Sequence, residues 1–169
     1  HAILIQTLMS LSLAQAMSGA FDDSARNARQ AVVHAEEHAD PGLLSQTLAL
    51  LVATTFLNGG GVDQACLDRA LALEDPDAEI SIPFCASAVH ALVLTSRAEL
   101  DTMANIVRTV RMRCIDRGVE TAMMPLSCCC ALMEISRGNF AEAAVFAQAA
   151  VEEADQVGGS RAIALTARA

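Results

Sequence analysis

One turn is written twice in this chain. Gly19-Ala20-Phe21 and Gly138-Asn139-Phe140 each place a Gly, a spacer and a large apolar residue at the start of an alanine-rich stretch. Gly60-Gly61-Val62 and Ala98-Glu99-Leu100 fall between them, so anchors at 19, 60, 98 and 138 step by about 40 residues. Five residues after each anchor stand Ser24, Ala65, Met103 and Ala143; twelve after, Ala31, Ala72, Val110 and Ala150; seven before, Ser12, Ala53, Ala91 and Ala131. A small residue recurring at a fixed place lets two helix backbones approach closely there. A helical hairpin cannot bury its apolar stripe alone, so stacked neighbours must complete the core. The second unit leaves its register open by one residue, because Cys66, Ala70 and Leu73 fit nearly as well as Ala65, Arg69 and Ala72. Met103 is the one bulky residue in its column.

Between the anchors, apolar residues recur at three and four, the period of a helix. Asp40-Pro41-Gly42, Asp75-Pro76, Pro83, Gly118 and Gly158-Gly159 add further breaks. The expected helices are 2–18, 21–38, 41–58, 62–74, 82–97, 99–117, 120–137, 140–157 and 159–169. With four prolines and nine glycines, an all-β fold of many short strands lacks the turns it needs. The fold class is therefore all-α: an α-α superhelix of helical hairpins, nine helices in about four and a half repeats. The repeats run roughly over 2–38, 41–74, 82–117 and 120–157, with a partial one over 159–169, as a single segment, 1–169. It begins and stops inside a helix, which reads as a piece of a longer solenoid with apolar end faces.

Composition removes several functions. The 169 residues carry 20 acids against 11 basic residues, all of them Arg, for a net charge of −9. Without a Lys there is no Walker-type phosphate loop. An acidic chain is a poor nucleic-acid surface, because that binding requires clustered positive charge. The apolar run 2–16 ends in Ala14-Gln15-Ala16, like a signal-peptide cleavage site, but polar residues interrupt it and it fits the repeat. No apolar run reaches the ~18 residues of a membrane span. The six cysteines show no C-x-x-C spacing and read as free thiols of a reducing cytoplasm.

The small–Gly–aromatic–Ala–Ala pattern resembles the tetratricopeptide repeat, whose usual period of about 34 is shorter. Longer repeats of this kind occur in the MalT-like helical region of large ATP-dependent regulators of the LuxR family. Two stretches resemble the actinobacterial branch of that family: Gly61-Val62-Asp63-Gln64-Ala65-Cys66-Leu67-Asp68-Arg69-Ala70-Leu71-Ala72-Leu73-Glu74-Asp75-Pro76 and Gly138-Asn139-Phe140-Ala141-Glu142-Ala143-Ala144-Val145-Phe146-Ala147. The second is generic to such repeats; the first is more specific. The resemblance implies an ATPase before the repeats and a helix-turn-helix after them, so ATP would belong to an upstream domain and this segment would need no cofactor. It also implies signal reception, interdomain restraint or self-association. The expected partners are those flanking domains, or a protein, peptide or small apolar effector, with no direct nucleic acid and no membrane. A homodimer through exposed solenoid ends is a further expectation.

Four clusters of polar or reactive residues stand out. His34-Ala35-Glu36-Glu37-His38 matches the inverted zinc-peptidase motif H-x-x-E-H, but the plain reading is the last turn of a helix, where His faces the negative dipole end. Cys128-Cys129-Cys130 reads as core packing, because a redox sensor needs an exposed thiolate beside positive charge and the nearest Arg in sequence is Arg137. Arg108, Arg111, Arg113 and Arg117 suit a solvated helix end, with an acidic docking partner as the functional alternative. Glu74, Asp75, Asp77 and Glu79 read as a solvated linker.

None of these makes an enzyme. In a right-handed solenoid of this type the inner helices line a concave groove. The candidate binding residues there are Gln6, Met9, Leu13, Thr47, Leu50, Leu51, Thr54, Asn58, Cys85, Val89, Leu92, Cys128, Cys129 and Leu132. No catalytic or metal residues are expected. The function expected is a non-catalytic, ligand- or protein-binding regulatory segment, with a general interaction scaffold as the alternative.

Overall fold

The computed structural model describes residues 1–78, 82–97, 99–119 and 123–157. The described residues form eight α-helices and no strand: α1 Ala2–Met17, α2 Phe21–His38, α3 Pro41–Leu57, α4 Gln64–Leu73, α5 Ala86–Ser96, α6 Leu100–Asp116, α7 Met123–Arg137 and α8 Phe140–Val157. A 3-10 turn, Ile82–Phe84, precedes α5. The all-α expectation therefore stands, with eight helices described rather than nine. The helix expected over 159–169 lies outside the described residues, as do residues 120–122 at the start of another and the anchor Ala98. The helix expected over 82–97 divides, because Pro83 sits in the 3-10 turn and α5 opens only after Cys85.

The hairpin turns share one geometry. Gly19, Gly59, Gly118 and Gly138 all take left-handed φ, between +66° and +82°. In each, the amide of the next residue donates to the carbonyl five positions back: Ala20 to Gln15 (2.9 Å), Gly60 to Thr55 (2.9 Å), Val119 to Cys114 (3.0 Å) and Asn139 to Glu134 (2.8 Å). This closure satisfies carbonyls that the helix end leaves open, and only Gly takes that backbone without a Cβ penalty. Ala39 takes the left-handed position after α2 (φ 56°) without being Gly. Entry into the next helix is fixed by aspartates. Asp40 accepts from the Leu43 amide at 3.1 Å, with Pro41 in the first helical turn, and Asp63 accepts from the Cys66 amide at 3.0 Å.

The chain divides into two compact units, His1–Val93 and Leu94–Ala169. In the first, α1 pairs with α2, α3 lies against both, and α4 packs on α3. One core joins Ile5 and Met9 of α1, Ala28, Ala31 and Ala35 of α2, and Leu50 of α3. A second joins Leu48, Ala49, Val52 and Ala53 of α3, Leu67 and Ala70 of α4, and Ala86, Val89 and Val93 of α5. The alanine row of α2 is what lets α1 and α3 sit close, so that the larger Ile5, Met9 and Leu50 fill the space between backbones. Each such large apolar side chain contributes about 1.5–3 kcal/mol on full burial.

In the second unit α7 packs on both α6 and α8. Cys128 and Ala131 of α7 face Ala147, Ala150, Val151 and Ala154 of α8. Arg137, at the end of α7, reaches the start of α6. Its Nη2 donates to the Leu100 carbonyl (3.2 Å) and to Asp101 Oδ1 (2.6 Å), and its Nη1 to Glu134 Oε1 (3.2 Å). Asn139 Nδ2 donates to the other oxygen of buried Glu134 at 2.7 Å.

The repeat columns are realised as buried positions. Ser12, Ala53, Ala91 and Ala131 are all buried, as are Ser24, Met103 and Ala143, and Ala31, Val110 and Ala150. The register of the second repeat resolves to Cys66, Ala70 and Leu73 facing inward, while Ala65, Arg69 and Ala72 are exposed. The turn explains the one-residue slip. The helix α2 begins at Phe21, directly after Ala20, whereas Gly60, Gly61, Val62 and Asp63 separate Gly59 from α4.

Candidate functional site

Half of the proposed groove residues go to the interior. Met9 and Leu50 meet in the first core, Val89 lies in the second, and Cys128 lies against α8. Thr47 and Thr54 are buried and their hydroxyls bond within their own helix. Thr47 Oγ1 donates to the Leu44 carbonyl (3.0 Å) and Thr54 Oγ1 to that of Leu50 (2.9 Å). Cys85 is buried with its Sγ on Glu74 Oε1 at 3.0 Å. Leu13, Leu51, Leu92 and Cys129 are half-buried; Gln6, Asn58 and Leu132 are exposed. The surface these helices offer a ligand is thus much smaller than the sequence implies, and polar contacts there fall to Gln6 and Asn58.

The cause is the position of α3. It is flanked by α1, α2 and α4 and buries Ser45, Thr47, Leu48, Ala49, Leu50, Val52, Ala53 and Thr54 around most of its circumference. Its polar residues are satisfied internally, as where Ser45 Oγ donates to the Ala70 carbonyl of α4 at 2.8 Å.

The cysteine triplet is held as thiol. Burial pushes the Cys129 and Cys130 thiols up to about 11, and raises Cys128 as well. The structure corrects one premise of the sequence reading. Positive charge does lie beside the triplet, because α6 brings Arg111 and Arg108 to Cys130. Both favour the thiolate, but burial outweighs them, and Glu134 and Glu153 oppose them. None of the six cysteines forms a disulfide.

The linker reading changes at Glu74. Its carboxylate leaves solvent to cap α5: Oε2 accepts from the Ser87 amide (2.8 Å) and hydroxyl (2.6 Å), while Oε1 takes the Cys85 thiol. A carboxylate there satisfies amides that the first helical turn leaves open and faces the positive dipole end. Asp75 behaves as a turn residue, accepting from the Asp77 amide at 2.8 Å, and Glu79 lies outside the described residues.

His34 Nδ1 sits 3.4 Å from Glu37 Oε2, and the ring of His38 stacks on that of His1 with centroids 6.5 Å apart. Among the described residues no three His, Cys, Asp or Glu side chains converge as a metal site. Of the α6 arginines, Arg108 binds Asn105 Oδ1 one turn back at 2.9 Å, while Arg111 and Arg113 are half-buried, so the cluster is only partly a solvated face.

One feature escaped the sequence reading. A cavity of about 370 Å³ opens between α1 and α2, lined by Leu4, Leu8, Arg26, Arg29, Gln30, Val33 and His34. The signal was available: on α2, residues 26, 29–30 and 33–34 recur at helical spacing, beside Leu4 and Leu8 one turn apart on α1.

No family model, curated protein or solved structure matches this chain. No helix among the described residues is long and apolar enough to cross a membrane.

Proposed function

We propose that this chain is a non-catalytic helical-repeat segment that binds a ligand or protein and regulates a LuxR-type transcription factor. The observation that carries the proposal is the recurrence of one hairpin design: buried small-residue columns about 40 residues apart, with the same left-handed glycine closure at Gly19, Gly59, Gly118 and Gly138. Such units have little interior to spare for chemistry. Several hydroxyls and carboxylates in the interior or at its edge go to neighbouring carbonyls, amides and side chains, as at Ser45, Thr54, Glu74 and Glu134. What remains is a surface for recognition. Occupancy that favours one packing of adjacent hairpins would then bias the domains attached to them.

A cytoplasmic setting belongs to the same reading, supported by six cysteines that form no disulfide. Self-association is supported by exposed apolar residues on α1, with Ile3 80% and Met17 65% exposed. The test is the parent reading frame. A phosphate-loop ATPase coded upstream and a helix-turn-helix downstream are the expected result. A complete frame holding neither would overturn the LuxR assignment and favour a general interaction scaffold, which a pull-down retrieving a peptide partner would support.

A further inference from the structure

We propose that the cavity between α1 and α2 is a binding site for a small anionic amphiphile: a carboxylate or phosphate head on a short aliphatic tail. The inference stands apart from the regulatory reading, because it rests on the first hairpin alone.

The lining is two-sided. Leu4 and Leu8 on α1 and Val33 on α2 supply an apolar wall, and Arg26, Arg29, Gln30 and His34 supply donors along one edge. Two of the seven lining residues are arginines, a third is His34 and none is acidic, on a chain whose net charge is −9. Arg26 shares its charge with Asp23 (2.9 Å), outside the cavity, and His34 faces Glu37 at 3.4 Å. Arg29 has no ion-pair or hydrogen-bond partner among the described residues. A guanidinium free to fork onto two oxygens is the group suited to carboxylate or phosphate. The volume lies in the range of small-ligand sites.

A packed helix is the competing occupant, and the lining argues against it. Where α2 meets another helix in this structure, it presents Ser24, Ala25, Ala28, Ala31 and Ala35. Here it presents long polar side chains, among them the unpartnered Arg29, whose burial under a helix would come at high cost. A small anion with a tail meets both walls without that penalty.

The probe is decanoate, titrated calorimetrically below its micelle concentration into the full chain, with decanol and decyl phosphate as parallel arms. Saturable binding of decanoate or decyl phosphate, at least about tenfold tighter than decanol, is expected from a charge-assisted pair. The stronger of the two anions identifies the head group. Arg29→Gln weakens the anion about tenfold and leaves decanol unchanged, whereas Val33→Ser weakens all arms alike. Both positions are exposed, so unchanged circular dichroism confirms that these variants fold. Equal affinity for decanol and the anions, an unaltered Arg29→Gln titration, or no saturable binding would overturn the proposal.

Discussion

Ser12 of α1 and Ser24 of α2 meet, fully buried, where the two helices cross. Their Oγ atoms are 3.1 Å apart and Ser12 Oγ donates to the Ser24 carbonyl at 2.9 Å. The pair shows why small residues recur at these columns: the approach of the backbones leaves room for a hydroxyl and no more. Ser24→Leu is expected to cost about 1–3 kcal/mol through overpacking. Ser12→Ala, which removes only a hydrogen bond, costs about 1 kcal/mol. Urea unfolding of both variants measures the difference.

The columns were legible because a small residue returning at a fixed period marks a close helix crossing, and the glycine turns because left-handed backbone restricts the choice of residue. Ser12, Ser24, Ala131 and Gly138 all carried that signal. The binding surface was not legible. In α3, Thr47 and Thr54 look like groove polars, but both hydroxyls turn back onto their own helix inside the core. Periodicity cannot name an open face on a helix flanked by three others. Glu74 was hidden differently: its partner amide lies 13 residues on, across the longest connector, where sequence shows only an acidic run.

Glu74 clamps that connector. Glu74→Ala leaves the Ser87 amide and hydroxyl without their acceptor and should cost about 1–2 kcal/mol. The Gln variant, which keeps one carbonyl oxygen, should recover part of the loss. The measurement is thermal or urea unfolding, with amide exchange at Ser87 as a local readout.

Arg137 braces two helices through Asp101, Leu100 and Glu134 in the second unit. Arg137→Ala should destabilise by about 1–3 kcal/mol, mostly through Glu134, because Asp101 is almost fully exposed and its share is screened. Lys, which lacks the fork, should restore only part. Equal stability of the Ala variant and the parent would remove the brace from the account.

The thiols set a pH dependence. Cys129 and Cys130 are pushed up to about 11 in the folded chain against 9.0 when unperturbed, so between these values the unfolded chain has lost protons that the folded one retains. Stability therefore falls as pH rises from about 9 to about 11. The fall should be shallower in Cys130→Ala. At pH 8 the native Cys130 thiolate is about a hundredfold scarcer than that of an ordinary cysteine, so alkylation followed by mass spectrometry should find it slow.

Ala39 carries a left-handed penalty that Gly138 avoids. Ala39→Gly should therefore stabilise by about 1 kcal/mol, and Gly138→Ala should destabilise by a similar amount or more. Melting temperatures of the two variants give both signs in one experiment.

The central claim is that repeated hairpins are held by small residues in a defined register, and the second hairpin tests it most directly. There Ala70 is sealed in the core while Ala65 and Ala72 face solvent. Leucine placed at each position, with unfolding free energy measured in urea, separates the alternatives. The account predicts a loss of about 1–3 kcal/mol for Ala70→Leu and a change within about 0.5 kcal/mol for Ala65→Leu and Ala72→Leu. A tolerated Ala70→Leu beside a disruptive Ala65→Leu or Ala72→Leu would contradict it.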